Sequence, residues 1–530
     1  MSRVTGRRSF GPWIILLLPT AWGCMVGPNY APPPAPVAPS WLEANQPGVR
    51  SEAATAERWW TVFDDPVLDR LVDLAYRQNL VLQAAGLRVL QAQARRAIAI
   101  GSLFPQRQAL NADYRRVQQS LTTEVGSQLP RSFNSWLAGF DTVWELDLWG
   151  KFRRAVEASD GDLLAAVADY DDVLVSLVAE VAATYVQIRV LDERLAVARD
   201  NVRVQQDSLG IARVRFEAGG TSELDVQQAT ALLKDTEATI PQLGIETRQA
   251  VDSLCVLLGL PPSELRERLE GPPRVPQVPS SVAAGIPADL LRRRPDVRRA
   301  EQAAAAQSAR IGVSEAQLLP SLQLVGRVGL SAEEVGKLFE GRSFAADTGP
   351  AIDWPILNYG RLINDVRLQD ARFQELLVSY SNTVLTAQAE VEDALVGYLR
   401  GSEQVGSLSE SVAAATKAVD ISLVQYREGA TDFTSVLNAQ QVKIREEDLL
   451  ASTRGAVALS VIALNKAVGG GWELRGTDDF VPDATRDEMR ARTHWGTLLP
   501  AEARANDVEA ARKDTENPSG WHWRWWWPKW

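Results

Sequence analysis

Hydrophobic and polar positions along the chain follow two patterns, and the first predicts very long helices. Residues 68–103 and 288–318 are apolar at helical spacing, and Pro295 suits a first helical turn. Residues 151–214 and 361–426 contain almost no proline or turn cluster. At about 1.5 Å per residue, a helix of about 65 residues would reach roughly 95 Å. Such helices must pack side by side, as coiled coils or as a helical barrel.

The second pattern, a period-2 alternation of mainly apolar and mainly polar residues, predicts four short β-strands. The alternating segments are 110–115, 140–148, 322–330 and 344–354. Each strand would have one apolar and one polar face, with Trp144 and Trp354 at equivalent strand ends, as in the aromatic girdles of membrane barrels. Open sheet edges are not tolerated in lipid and four strands cannot close, so we expect a barrel shared between subunits.

The same order of elements occurs twice, which indicates an internal duplication. At an offset of 210 residues, the matches include Trp144 with Trp354, Gly150 with Gly360, Val226 with Val436 and Gly259 with Gly469. A fixed offset over more than a hundred residues is typical of a repeated structural unit. We therefore predict a first repeat at 59–259, an equatorial linker at 260–286, a second repeat at 287–472 and a C-terminal tail at 473–530.

The N-terminus predicts export. Within residues 1–23, three arginines precede an apolar stretch that is too short to span a bilayer, so we interpret the segment as a signal peptide. Cys24 follows Ala21-Trp22-Gly23, which resembles a bacterial lipobox but departs from it, since Leu is usual where Ala21 stands and a small residue where Trp22 stands. Cys24 is the predicted lipidation site; the alternative is a plain signal peptide with an incidental cysteine. Residues 24–58 are proline-rich and predict an extended, lipid-anchored tether. The mature chain lacks an apolar run of about eighteen residues, so no transmembrane helix is expected.

Composition argues against nucleic acid binding and catalysis. The formal net charge is −11 and no basic stripe is concentrated anywhere, whereas phosphate binding needs clustered Lys and Arg. We interpret the run Arg292-Arg293-Arg294 as a solvated helix start rather than a basic patch. Only two histidines and two cysteines occur, and no nucleophile–base pair, metal cluster or phosphate loop is apparent. Neither an enzyme nor a cofactor is expected, and we expect Cys255 to be a buried small hydrophobe.

Two further motifs carry a resemblance to a known family. They are the run from Cys24 to Tyr30 (CMVGPNY) and the run from Pro287 to Val297 (PADLLRRRPDV). With the paired glycine turns near 216–229 and 426–439, they resemble the TolC-like outer-membrane factors, especially the lipoprotein branch of NodT/OprM type. The resemblance implies a mainly α fold with a small β part: a trimeric α-helical barrel continued by a shared twelve-strand β-barrel in the bacterial outer membrane.

The resemblance also implies a function. It indicates a passive channel that exports small molecules, such as drugs and toxic compounds, from the periplasm. A periplasmic adaptor and an inner-membrane pump of resistance-nodulation-division type would be the partners, with outer-membrane lipid around the barrel. One alternative is the outer-membrane outlet of a type I protein secretion system. A periplasmic coiled-coil lipoprotein without a pore is an alternative of another class.

By the same resemblance, the two helix–turn–helix tips form the periplasmic end, where the adaptor docks and the pore constricts. The tip residues would be Arg215, Phe216, Gly219, Thr221, Tyr426, Gly429 and Thr431. Relatives often carry acidic residues along the helix after the second tip, where this chain has Ser435 and Asn438. We assign those two residues to the gate together with the nearby Asp225 and Asp432. The presence of Ser435 and Asn438 where relatives have acidic residues argues against an aspartate ring that binds cations.

The C-terminal end falls outside the resemblance. Residues 521–530 contain six tryptophans with Arg524 and Lys529. Tryptophan beside basic residues suits a membrane interface or a partner groove. A disordered tail without a single role is the equal alternative.

Overall fold

The structure is a computed structural model of the 530-residue chain. It describes residues 25–50, 52, 57–120, 122, 130–262, 265 and 269–499, and every structural statement below concerns these residues. The predicted signal peptide, the lipidation site Cys24 and the tryptophan-rich end lie outside them.

The main elements appear in the same order in each half of the chain. In the first half they are α1 (Pro66–Gln78), α2 (Leu80–Gly101), β2 (Arg107–Gln118), β3 (Ser132–Leu146), α3 (Lys151–Glu217) and α4 (Glu223–Leu257), preceded by β1 (Val49–Arg50). In the second half they are β4 (Val282–Ala283), α5 (Leu290–Arg293), α6 (Pro295–Ala316), β5 (Ser321–Ala332), β6 (Phe344–Asp353), α7 (Arg361–Arg427), α8 (Phe433–Ala467) and α9 (Asp483–Arg492). The helices α3 and α7 each contain 67 residues, and α4 and α8 each contain 35.

Each shorter helix predicted from the sequence is divided in the structure. The predicted helix 68–103 is interrupted at Asn79. The backbone N–H of Asn79 donates to Ala75 O at 2.9 Å and ends α1, while its side-chain Oδ1 accepts from Leu82 N at 2.8 Å at the start of α2. Asparagine competes with the helix ladder in this way and therefore favours helix ends. The predicted helix 288–318 is interrupted before Pro295, where α6 begins, because the residue before proline disfavours helical geometry.

The chain forms two compact units, each built from both halves. Among the described residues, the sheet unit comprises those of 25–33, Gln91–Ala165 and Glu301–Val378. The helical unit comprises those of Pro34–Leu90, Ala166–Ala300 and 379–499. The predicted boundaries of the repeats remain a prediction, because this division follows spatial packing rather than duplication.

The sheet unit is built on a four-stranded antiparallel sheet in the order β2-β3-β5-β6. Its register places the predicted apolar positions of all four strands on one face, although Val117, Phe133, Leu137, Val143 and Val325 lie on the other. The other face, called the charged face, carries Arg107, Asp113, Arg115, Asp141, Glu145, Arg327, Asp347 and Asp353. Arg116 is the single charged residue among the paired positions of the apolar face. A tryptophan near the end of the second strand makes an equivalent hydrogen bond in each half. Trp144 Nε1 donates to Leu103 O at 3.2 Å, and Trp354 Nε1 donates to Leu318 O at 3.1 Å.

The segment that follows Cys24 is held in the sheet unit by a buried arginine. Arg154, whose side chain is 1% exposed, donates to Val26 O and Gly27 O, each at 3.1 Å, and to Asn29 Oδ1 at 2.9 Å. Gly150 has a positive φ of 79°, and a Cβ there would lie 2.5 Å from Met25 Cγ. Residues 25–29 therefore have one defined position at the start of α3.

Farther along, the proline-rich segment binds to a helix of the helical unit. Ala38 N and Leu42 N donate at 2.7 Å to Gln388 Oε1 and Glu392 Oε1 on α7. Trp41 is buried and donates to Gly285 O at 3.1 Å. The described part of the predicted tether is thus packed against the protein, with bends and turns between residues 39 and 48.

Arg294 corrects the interpretation of the arginine run as a solvated helix start. Its side chain is 9% exposed and pairs with Asp296 at 2.7 Å and Glu390 at 2.6 Å. It also donates at 2.9 Å to Ala467 O, the carbonyl of the last residue of α8. The extended backbone required before Pro295 turns this side chain into the helical unit, where three acceptors compensate its desolvation. Cys255 is buried, as expected.

The chain after α8 also packs in the helical unit. Arg475 and Arg298 contact the buried Asp171, at 3.4 and 3.0 Å. Burial raises the pKa of the Asp171 carboxyl, and the two arginines oppose that rise. Phe480 stacks edge-on against Tyr170 with ring centroids 5.1 Å apart. The beginning of the predicted C-terminal tail is therefore ordered.

One described helix, α3, has the length and apolarity of a membrane span, with a mean hydropathy of 1.6 over an 18-residue window. However, 67% of that window is buried inside the structure, as expected for a core helix. This is weak evidence for a span.

Candidate functional site

Two helix–turn–helix tips in the helical unit contain the residues assigned to the periplasmic end. Each turn has a glycine with positive φ, 75° at Gly219 and 77° at Gly429. The next amide closes the helix, since Gly220 N donates to Arg215 O at 2.7 Å and Ala430 N donates to Gln425 O at 2.8 Å. This is the Schellman geometry, in which a left-handed residue satisfies the last helical carbonyls. Both tips thus have the same backbone.

An apolar cluster fills the space beneath the two tips and joins them. Its buried members are Leu209, Ala212, Ala229, Leu233, Tyr426, Phe433 and Val436. Tyr426 is 1% exposed and Phe433 is fully buried, with their rings edge-on at 5.3 Å. Aromatic pairs in this geometry contribute about 0.5–1.5 kcal/mol beyond their buried area. The second tip therefore supplies the aromatic centre of the cluster.

Polar contacts around Tyr426 connect the first tip to the second. The Tyr426 hydroxyl donates to Asp225 Oδ2 at 3.0 Å, and Thr221 Oγ1 donates to the same carboxylate oxygen. The guanidinium of Arg215 lies 4.6 Å from the centroid of the Tyr426 ring, a cation–π distance. Burial raises the pKa of Tyr426, which keeps the hydroxyl protonated as a donor. We call Arg215, Thr221, Asp225 and Tyr426 the tip brace.

The remaining assigned residues lie outside the brace. Asp432 caps α8 by accepting from Ser435 N at 3.2 Å, and Ser435 Oγ accepts from Thr431 Oγ1 at 3.0 Å. Asp432, Ser435 and Asn438 are exposed. Phe216 is 43% exposed, although it occupies the position equivalent to the buried Tyr426. The exposed set and the brace are thus two distinct groups.

Buried polar contacts between the long helices were not predicted from the sequence. Gln205 donates to Thr236 Oγ1 at 2.9 Å and Gln440 donates to Ser208 Oγ at 2.6 Å. All four side chains are buried. Polar residues at positions where the helical pattern requires apolar ones could have predicted these contacts. The contacts fix the register of neighbouring helices because an unpaired buried amide is costly.

The charged face of the sheet is the second surface with functional chemistry. Asp141 accepts from Asn111 Nδ2 at 2.6 Å and from Arg327 Nε at 2.9 Å, so polar contacts join three strands. Of the described residues, no group of three or more His, Cys, Asp or Glu is arranged to hold a metal ion. A sheet with charges on one face and apolar residues on the other, attached to paired long helices, defines the class: a subunit of an outer-membrane channel.

Comparison with known proteins identifies the family within this class. The model of the outer membrane efflux protein family matches residues 71–260 and 286–470. The chain belongs to this family, and it is an efflux channel protein of the bacterial outer membrane.

Individual relatives agree over nearly their full length. Nodulation protein T of Rhizobium leguminosarum bv. viciae is 31% identical over 452 residues, which cover 85% of this chain and 91% of the relative. The pyoverdine export outer membrane protein OpmQ of Pseudomonas putida is 31% identical over 476 residues, covering 87% and 98%. The solved structure of the outer-membrane channel OprN superposes with a TM-score of 0.80 at 32% identity, covering 85% of this chain and all of that one. The fold is therefore TolC-like, with long helices and a small β domain.

Proposed function

We propose that the chain is the passive outer-membrane channel of a tripartite efflux system for small molecules, including drugs and toxic compounds. Three copies share one twelve-strand barrel, and a periplasmic adaptor connects them to an inner-membrane pump of resistance-nodulation-division type. The distribution of charge over the sheet is the main support: eight charged residues are on one face and one is on the other. In a membrane barrel the charged face would line a water-filled interior and the apolar face would contact lipid, so that both faces are well solvated.

The tips are the proposed periplasmic end and gate. The exposed Asp432, Ser435 and Asn438 are available to line a pore or contact a partner, and the half-exposed Phe216 offers an apolar contact for the adaptor. Asp225 has a different proposed role, because its carboxylate already accepts two hydrogen bonds within the brace. It would hold the first tip to the second, and the gate would have no ring of free aspartates.

A lipid anchor at Cys24 is part of the same proposal. The next residue, Met25, lies against Gly150, near the end of β3, and Val26 N donates to Trp149 O at 3.1 Å. An acyl chain on the preceding residue would therefore start close to one end of the sheet. Mass spectrometry of the N-terminal peptide of the mature protein tests this; an unmodified Cys24 would contradict it.

Reconstitution tests the channel proposal. Purified protein in planar lipid bilayers should give discrete conductance steps, and native mass spectrometry should give a mass of three chains. A strain that lacks the gene should accumulate toxic small molecules and regain efflux on complementation. Absence of conductance from trimeric protein would contradict the channel. Loss of a secreted protein with unchanged efflux would favour protein secretion instead.

A further inference from the structure

The two edge strands of the sheet, β2 and β6, each have one backbone edge that pairs with no strand of the described sheet, and their charges on the charged face are complementary. On the charged face β2 carries Arg107, Asp113 and Arg115, whereas β6 carries only the acidic Asp347 and Asp353. The strands alternate in direction across the sheet, so β6 would meet β2 of another copy in antiparallel orientation. The partner that fits this edge is therefore a second copy of the chain, and this pairing rests on the shared barrel proposed above.

Strand lengths restrict how the two edges can pair. All ten residues of β6 find partners on the twelve residues of β2 only when Asn111 lies opposite Gly349, Pro350 or Ala351. Asn111 lies on the charged face, and a slip of one residue exchanges the faces, which excludes Pro350 on the apolar face. Two registers remain, with Asn111 opposite Gly349 or opposite Ala351.

The size of the displacement expected in a closed barrel agrees with these two registers. Straight across the sheet, Asn111 pairs with Gly139, then Gly329, then Ala345. In a closed barrel the strands tilt by roughly 35–45° from the barrel axis. A path across four strands is about 19 Å wide, so its end lies about 13–19 Å farther along the strand direction than its start. At about 3.4 Å per residue that displacement is about four to six residues. Gly349 is four residues and Ala351 six residues beyond Ala345.

Side-chain chemistry decides between them. With Asn111 opposite Gly349, Arg107 would lie opposite Asp353, but Asp113 would lie directly opposite Asp347, and like charges in that position are destabilising. With Asn111 opposite Ala351, Arg115 lies opposite Asp347, and no two like charges of β2 and β6 are opposed. On the apolar face the same register sets Leu110, 86% exposed, opposite Ile352, 74% exposed.

We infer that the copies join by antiparallel pairing of β2 with β6 in the register that sets Asn111 opposite Ala351. Each joint contains an ion pair between Arg115 and Asp347 of neighbouring copies on the inner face and a contact between Leu110 and Ile352 on the outer face. The channel wall is continuous at the joint because every β6 residue has a partner.

Disulfide trapping in the full-length protein in membranes tests this register. Asn111→Cys with Ala351→Cys, and Leu110→Cys with Ile352→Cys, should give cross-linked chains on non-reducing gels. The matched controls replace Gly349 or Pro350 instead of Ala351 or Ile352, and should cross-link about fivefold less, since residues two positions away lie beyond disulfide reach. Cross-linking that favours the controls, or is equal in both sets, would overturn the register.

Two further measurements separate the possible failures. A trimeric parent whose paired variants do not cross-link overturns the register alone, whereas a monomeric parent overturns the shared barrel with it. Arg115→Gln and Asp347→Asn should each lower the trimer fraction that survives mild heating in detergent, and the double variant should lower it no further. Fully additive losses would overturn the ion pair. Arg116→Gln, on the opposite face, is the control and should leave the trimer fraction unchanged.

Discussion

The two tips have the same backbone and different side chains, and the difference shows how a duplicated unit has specialised. Gly219 and Gly429 adopt the same left-handed conformation, and the same helix-closing hydrogen bond follows each. At equivalent positions, however, Phe216 is exposed where Tyr426 is buried, and Asp225 stands where the second tip has Ser435. The acid comes from one copy of the unit and the phenol from the other, so the brace requires both.

The largest expected effect separates Phe216 from Tyr426. Tyr426→Ala removes a buried ring, its contact with Phe433 and the donor to Asp225, and should lower the free energy of opening at the tips by about 3–5 kcal/mol. Hydrogen exchange of peptides from both tips measures this. Phe216→Ala is the matched control at the equivalent position and should change the tip by about 0.5 kcal/mol or less. Similar losses from both variants would show that the tips are not specialised.

The second effect tests what the two tips share. Gly219→Ala and Gly429→Ala each force a Cβ into a left-handed conformation, which costs about 1–2 kcal/mol. The cost should be equal, because a Cβ meets no atom within 4 Å at Gly219 and only ordinary contact with Arg215 at Gly429. Gly210→Ala is the control, since this helical glycine has open space around it and a right-handed conformation. Unequal exchange protection in the two glycine variants would contradict an equivalent backbone.

The third effect concerns the acid of the first tip. Asp225→Ala leaves the buried Tyr426 hydroxyl without its acceptor, and an unsatisfied buried donor costs about 1–3 kcal/mol. Ser435→Ala, at the equivalent place in the second tip, removes an exposed hydroxyl and should have a smaller effect. Tyr426→Phe provides a further check, because Asp225→Ala should cost much less once the hydroxyl is absent. Equal effects of Asp225→Ala in the two backgrounds would exclude the brace.

The sequence predicts the shared features of the tips better than their differences. Glycine turns, long helices and alternating strands are local patterns, so the positions of Gly219, Gly429 and the four strands can be predicted from short windows of sequence. The brace joins Asp225 to Tyr426 across 201 residues, and no window contains both. The burial of Arg294 was missed for the same reason, since its partners Glu390 and Ala467 are distant in sequence. The contacts of Arg154 with residues 26–29 likewise depend on packing that periodicity does not encode.

The smallest effect distinguishes the starts of the two returning helices. Asp432 accepts from Ser435 N and caps α8, whereas Ser222 makes no side-chain capping bond to α4. Asp432→Ala should therefore cost about 1 kcal/mol, seen as faster exchange in the first turn of α8 alone. Ser222→Ala is the matched control and should leave the first turn of α4 unchanged. If Ser222→Ala were as damaging as Asp432→Ala, Ser222 would also act as a cap, and the two tips would differ only in the brace.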